Sequence, residues 1–427
     1  MLRPISAILF IRRWKENNVR VSDDFVSILV LIDFFYWCVV SNCAIITIIL
    51  KYTIQKNLLQ VNVGGTMDKI YLAALQMISG IGTARLKGLL SYFGTAEQVW
   101  LAKKRELFLS GYLNETIYNK LLIQREKIDI YTLASDWQNK GIRVCSYNEP
   151  EYPKLLFNIV DAPRILFYRG RLPNTEQLIA IVGARKATAY GKNAAQSLAA
   201  ELSEAGVWIV SGAARGIDTA AHQGALLSGR TIAVLGCGVD VSYPPENKKL
   251  ISQIAERGAV ISEYAPGTPA QPGHFPARNR IISGLSKGVI VVEAAERSGA
   301  LITADFALEE GRDVFAVPGS IFSLSSRGTH RLIKQGAKLI DCAADLLEEY
   351  DIPADKEERK EIELTAEETM IYEILTYEEP LGIEEIIMKT KLSPAAITYI
   401  LLQFELRGLV TVHNGASYLR CAKEGVK

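Results

Sequence analysis

Residues 207–222, Val-Trp-Ile-Val-Ser-Gly-Ala-Ala-Arg-Gly-Ile-Asp-Thr-Ala-Ala-His, constrain the fold more than any other stretch. An apolar run of strand length breaks into a turn and restarts at Ile217 as an Ala-rich helical pattern. Gly212 and Gly216 let the backbone turn where a Cβ would clash, and Arg215 adds a fixed positive charge. The helix start points unpaired N–H groups at whatever lies above the strand end. A phosphate suits that place, and a plain tight turn is the alternative that one such motif leaves open.

The same alternation runs from Leu178 to about Tyr350 and predicts a mostly parallel sheet covered on both faces. Strands are expected at Leu178–Val182, Val207–Val210, Thr231–Leu235, Ala259–Ile261, Gly288–Val292, Asp313–Val317 and Lys338–Ile340. Ligands of such sheets sit beyond the carboxyl ends of the strands, so the residues after each strand carry the information. The first strand is followed by Gly183, Arg185 and Lys186, the second by Ser211, Gly212, Arg215 and Gly216. The third leads into Gly236-Cys-Gly and Tyr243-Pro-Pro, and the fourth to Phe275, Arg278, Asn279 and Arg280 at a helix start. The fifth is followed by Glu293, Glu296 and an Arg297-Ser298-Gly299 turn. The whole chain carries a formal charge of only +1, so any positive patch must come from focusing these cations on one rim.

The flanking regions differ. Residues 1–66 hold an apolar and aromatic run, 26–50, long enough to span a bilayer. Asp33 inside that run, and Gly-Gly-Thr directly before Met67, point instead to upstream sequence preceding a start at Met67. Residues 67–140 read as a small helical domain with a Gly80-Ile-Gly hairpin. That hairpin either offers N–H groups, Arg85 and Lys87 to a DNA phosphate or belongs to a protein-binding bundle. Residues 141–177, rich in Tyr and Pro, read as a connecting segment of extended or edge-strand material. A charged linker, 351–364, leads to three helices and a hairpin on Asn414-Gly415 in 365–427, the order of a winged helix. Its third helix carries one Arg and one Glu, too little positive charge for strong major-groove binding, which favours a protein contact.

No catalytic or metal site emerges. The six cysteines are scattered, with no His at ligand spacing, so neither zinc nor a disulfide framework is indicated and a reducing cytoplasm is expected. Gly183–Lys192 has the wrong glycine spacing for a P-loop and Asn193 where Ser or Thr would hold magnesium. His222 reads as a packed or capping residue, Asp218 as a helix N-terminal charge, and Glu293 and Glu296 as groups that orient arginines. The absence of a nucleophile–base set favours a binder.

Ser211-Gly-Ala-Ala-Arg-Gly-Ile-Asp-Thr-Ala-Ala-His222, Phe275-Pro-Ala-Arg-Asn-Arg-Ile-Ile-Ser-Gly-Leu285 and Arg297-Ser-Gly-Ala-Leu-Ile-Thr303 occur in that order along one strand–helix domain. With these residues the chain from Met67 onward resembles the DNA-processing protein A (DprA/Smf) family. The resemblance implies an extended Rossmann-like domain that binds single-stranded DNA and associates as a homodimer. It also implies placement of the RecA recombinase on DNA covered by single-strand binding protein, in natural transformation and without catalysis, cofactor or metal. Gly183, Arg185, Lys186, Ser211, Gly212, Arg215, Gly216, Phe275, Arg278, Asn279, Arg280, Ser298 and Gly299 are the expected DNA-binding residues, with Arg185, Arg278 and Arg280 on phosphates and Phe275 stacked on a base. Ala213 stands where the family more usually has Gly, Ala300 where Ser is common, and His330 where Asn is common. The alternative from another class is a nucleotide-processing enzyme of the lysine-decarboxylase-like phosphoribohydrolase type, which would use Glu293 and the Arg-Ser-Gly turn; its Pro-Gly-Gly-x-Gly-Thr signature is missing.

Overall fold

The computed structural model describes residues 66–353, 364–377, 379–413 and 417–420. The apolar run 26–50, most of the charged linker and the Asn414-Gly415 turn lie outside the described residues. Among the described residues no helix is long and apolar enough to cross a membrane.

Nine strands form the central sheet: β1 Arg143–Ser146, β2 Ile165–Gly170, β3 Leu178–Val182, β4 Trp208–Ser211, β5 Thr231–Val234, β6 Ala259–Ser262, β7 Gly288–Val291, β8 Asp313–Ala316 and β9 Lys338–Leu339. Their spatial order is β1-β2-β6-β5-β4-β3-β7-β8-β9. From β6 to β9 every neighbouring pair is parallel. The chain builds outward from β3 through β4, β5 and β6, then returns to β3's other side for β7 and β8, which sets a topological switch point between β3 and β7.

The pleat explains why these runs are apolar at every position. Leu178, Ala180 and Val182 of β3 face one core, and Ile179 and Ile181 face the other. The same alternation holds in β7, where Val289 and Val291 oppose Ile290, and in β8, where Val314 and Ala316 oppose Phe315. The first core is closed by helices His274–Gly284 and Gly299–Glu309 through Ile281, Ile282, Leu301 and Ala304, and by Leu332 of helix Arg327–Lys334. The second is closed by helices Ala189–Glu204, Ile217–Ala225 and Ala343–Glu349 through Leu198, Leu202, Ala221 and Leu346. Fully burying one Leu or Ile stabilises by about 1.5–3 kcal/mol, so a one-residue slip of β3, which would exchange two such sets, is strongly disfavoured.

The segment expected to connect two domains contributes β1 and β2 to this sheet. Both are antiparallel, with β2 pairing β6 through Phe167 and Ser262 and β1 pairing β2 through Cys145 and Leu166. The prolines that suggested a linker flank these strands and do not interrupt them: Tyr152 donates from its buried hydroxyl to the Pro163 carbonyl at 2.7 Å, which fixes the approach to β2.

Among the described residues, six helices precede the sheet: Thr66–Gln76, Thr83–Phe93, Ala96–Leu101, Lys104–Leu109, Glu115–Lys127 and Ile130–Asn139. The Gly80-Ile-Gly hairpin turns toward the loop after β6, where Gln76 Nε2 donates to the Glu263 carbonyl at 2.8 Å. Arg85, the arginine considered for a phosphate, donates to the Gly80 carbonyl at 2.5 Å. After the linker, helices Ala366–Ile374, Ile383–Thr390 and Pro394–Leu406 pack on a sheet of order β10-β12-β11, with β10 at Leu381–Gly382, β11 at Val410–His413 and β12 at Ser417–Arg420. Ile371, Ile386, Ile397, Leu401, Phe404 and Leu409 form its core. The sequence pattern did not show β10, because two residues are too few to display an alternation.

Candidate nucleic-acid interface

A cleft of about 390 Å³ opens at the carboxyl end of β3, at the switch point. Gly183 and Arg185 follow β3, and Ser298 and Gly299 begin the helix after β7. Phe275, Arg278 and Asn279 come from the helix before β7. Seven of the thirteen expected residues therefore share one cavity, drawn together from the loop after β3, the loop and helix start after β7, and the helix before β7. Tyr243, Asp218, Ile302 and Thr303 also line it and were not among them.

Its mouth is aromatic and basic. The Arg185 guanidinium lies 5.4 Å from the Phe275 ring centroid, and Tyr243 tilts against Phe275 at 5.3 Å and 31°. Arg185, Lys186 and Tyr243 are exposed, and Phe275 is half-buried. The Gly236-Cys-Gly and Tyr243-Pro-Pro run after β5 was legible as a turn, but only the tertiary pairing places Tyr243 against Phe275. Opposite, the N-terminus of helix Gly299–Glu309 faces the cavity through Ser298, Gly299 and Ala300, with the Ser298 hydroxyl accepting from the Ala300 N–H at 3.3 Å. Unpaired N–H groups at such a helix start favour an anion.

The glycine turn after β4 has a different role from the phosphate cradle its sequence suggests. Asp218 accepts the Ala214 N–H at 3.2 Å, so the chain's own carboxylate occupies the N-terminus of helix Ile217–Ala225. Asn247 pins the turn from outside by donating to the Ala213 carbonyl at 3.0 Å. Gly216 has φ +78°, and a Cβ there would meet the Ala184 carbonyl at 2.2 Å. Gly212 is required by close approach, since a Cβ would lie 2.4 Å from the Arg278 guanidinium. Ala213 takes φ +54°, a left-handed conformation that glycine adopts more readily than alanine. Ser211 is buried and donates to the Ile181 carbonyl at 2.7 Å, tying β4 to β3. Of this turn, Ala214 and Asp218 line the cleft, and Ser211, Gly212, Arg215 and Gly216 do not.

Two arginines expected on the rim are placed elsewhere. Arg278 is 4% exposed; its guanidinium donates to the Val234 carbonyl at the end of β5 and faces Asp218. Burial lowers the Arg278 pKa to about 10, against an opposing pull from Asp218. The same burial raises the Asp218 carboxyl above its ordinary value, with Arg278 opposing. Arg280, one helical step round, points away from the cleft and pairs with Glu263 at 2.7 Å, both side chains largely buried. The i, i+2 spacing of Arg278 and Arg280 puts the two on different faces of their helix, which a reading by proximity in sequence misses. Arg215 is exposed and carries a carboxylate partner, Glu246.

Glu293 orients no arginine. It is buried and accepts the Thr188 hydroxyl at 2.6 Å and N–H at 3.0 Å, together with the Ser325 hydroxyl at 3.3 Å. His222 is packed as the sequence suggested: fully buried, with Nδ1 2.7 Å from the Thr231 hydroxyl and its pKa pulled down to about 3 by burial and by Arg278.

Fold and cleft together define a Rossmann-like protein with a cleft at the switch point of its sheet, followed by a winged-helix domain. The family model described as DNA recombination-mediator protein A matches residues 143–351, and that described as DprA winged helix domain matches 355–416. Protein Smf of Synechocystis sp. is 35% identical over 393 residues, covering 83% of this chain and 99% of its own length. DNA processing protein DprA of Streptococcus pneumoniae is 50% identical over 245 residues, 57% of this chain and 85% of that protein. The X-ray structure of the Streptococcus pneumoniae DprA superposes with a TM-score of 0.56 at 40% identity, covering 66% of this chain and 98% of that one. The chain belongs to the DprA/Smf family of DNA-processing proteins.

Proposed function

We propose that the protein binds single-stranded DNA across the carboxyl rim of its sheet and loads the RecA recombinase onto strands covered by single-strand binding protein during natural transformation. It acts in the cytoplasm as a homodimer, and as a mediator without catalysis of its own. The observation that carries the DNA reading is the mouth of the cleft: Arg185 over Phe275, with Tyr243 beside it and the start of helix Gly299–Glu309 opposite. A fixed cation beside two paired aromatic rings, facing a helix N-terminus, accepts a backbone phosphate and a base face without reading sequence. The nucleotide-processing alternative fares worse, because the carboxylate it would use, Glu293, is buried in hydrogen bonds to Thr188 and Ser325.

Fluorescence anisotropy on labelled single strands tests the assignment. Arg185→Ala should weaken binding at every sequence and flatten the log K against log salt slope by roughly 0.7, one phosphate's worth on single strands. Phe275→Ala should cost about 1–3 kcal/mol with the slope unchanged. Affinity unaltered in the double variant would remove the cleft from consideration.

A further inference from the structure

The loop after β8 carries a feature that the cleft does not use. Ile321 is 78% exposed, Phe322 90% and Leu324 65%, three apolar side chains within four residues projecting into solvent. Such a group on a slack loop would fold down onto apolar surface. This loop cannot, because its backbone is held at close intervals. Tyr190 donates to the Pro318 carbonyl at 2.9 Å, His330 Nε2 lies 3.0 Å from the Gly319 carbonyl, and the Ser323 N–H donates to the Ser320 carbonyl at 3.0 Å. The Phe322 N–H donates to the Ser320 hydroxyl at 3.3 Å. At its far end the Ser325 carbonyl accepts the Ala294 N–H at 2.8 Å, and the Ser325 hydroxyl reaches Glu293. The ring of Phe322 is therefore held out in water by a fixed backbone.

Its place and its charged neighbours indicate what meets it. The loop leaves the carboxyl end of β8, two strands from β3, so it stands on the same rim as the cleft at about 10 Å in the strand-spacing direction. Through Ala294 it is hydrogen-bonded to the loop after β7, which runs on to Ser298 and Gly299 in the cleft wall. Arg297 on that β7 loop and Arg327 just beyond the β8 loop are exposed, and among the described residues neither forms an ion pair. Glu296, directly before Arg297, is an exposed acid on the same loop. An exposed aromatic on a rim whose adjoining loops carry unpaired arginines fits a stacked base with its phosphates better than the apolar side chains of a protein partner, which arginines would repay poorly.

We propose that Phe322 is a second base-stacking platform, and that a single strand leaving the cleft crosses the β7 loop to reach it, its backbone neutralised by Arg297 and Arg327. The proposal rests on the reading of the cleft as a single-strand site and extends that site along the rim.

The test compares full-length wild type, Phe322→Ala and Phe275→Ala on oligothymidylates of about 4 and about 16 nucleotides, the ends of the usual site-size range. Phe322→Ala, a change at a side chain in solvent, should weaken the long oligonucleotide roughly five-fold or more and leave the short one and the salt slope unchanged. Phe275→Ala should weaken both. Phe322→Trp should keep the wild-type affinity, and its added emission should be quenched by the long strand. If Phe275→Ala weakens both lengths while Phe322→Ala weakens neither, the second platform is overturned and the cleft stands; a protein-docking role for the loop would give this result. If Phe322→Ala weakens both lengths equally, the loop belongs to the primary site and the extension is overturned. If Phe275→Ala is also silent, the cleft reading itself has failed.

Discussion

Replacing Arg278 by Met distinguishes a phosphate ligand from a structural cation. The guanidinium is buried, donates to the Val234 carbonyl and faces the buried Asp218 carboxylate, so the substitution leaves a carboxylate in the interior without its cation and a strand-end carbonyl without its donor. Removing one partner of a buried pair costs about 3–5 kcal/mol. For a domain of this size that is roughly 6–20 °C in melting temperature. The loss should depend on pH. Asp218 holds its proton more tightly folded than unfolded, so its contribution is fully present below its ordinary value of 3.8 and is lost as pH rises through the raised folded value. Without Arg278, which opposes that rise, the folded value climbs further and the penalty near neutrality deepens. Urea titrations of Arg278→Met should therefore show a deficit that is larger at about pH 7.5 than at about pH 5, and adding Asp218→Asn should restore much of the loss at the higher pH. A variant within about 1 kcal/mol of wild type at both pH values, yet weakened in DNA binding with a flatter salt slope, would refute the structural role and return Arg278 to the phosphates.

Other perturbations read out neighbouring parts of the site. Glu246→Gln frees the exposed Arg215 from its partner, and single-strand affinity measured against salt should rise with a slope steeper by up to roughly 0.7; a slope that does not change would place Arg215 off the DNA path. Gly216→Ala must place a Cβ against the Ala184 carbonyl at a left-handed φ, so thermal unfolding should show a loss of at least about 1–3 kcal/mol, and a wild-type melt would mean that the turn opens freely. Truncation after Tyr350 should leave single-strand affinity in a gel-shift assay nearly intact, because the winged helix presents Tyr399, Leu402 and Leu406 on its third helix while Arg407 is engaged with Glu368; a large loss would make that domain a DNA reader.

The sequence by itself determined the architecture. Uninterrupted apolar runs such as Leu178–Val182, each closed by a glycine or serine turn and followed by a helical pattern, have no stable arrangement except a parallel sheet covered on both faces. The same runs located the rim that holds the cleft, since the residues after them must converge at the carboxyl end. Backbone demands were legible too: Gly216 stands where only a residue tolerant of positive φ fits. What the sequence could not decide was the direction of each side chain once the helices had packed. Arg278 and Arg280 are two residues apart and chemically identical, yet the 100° turn per residue sends one to Asp218 and the other to Glu263, in a different largely buried pair. Asp218, four residues after Ala214, curls back onto the turn and closes the cradle that the glycine pattern seemed to leave for a phosphate, while the open helix start is the one at Gly299. Periodicity specifies which face of an element is apolar; which polar side chain on the other face finds a partner depends on neighbours supplied by elements tens of residues away, and only the assembled sheet brings those together.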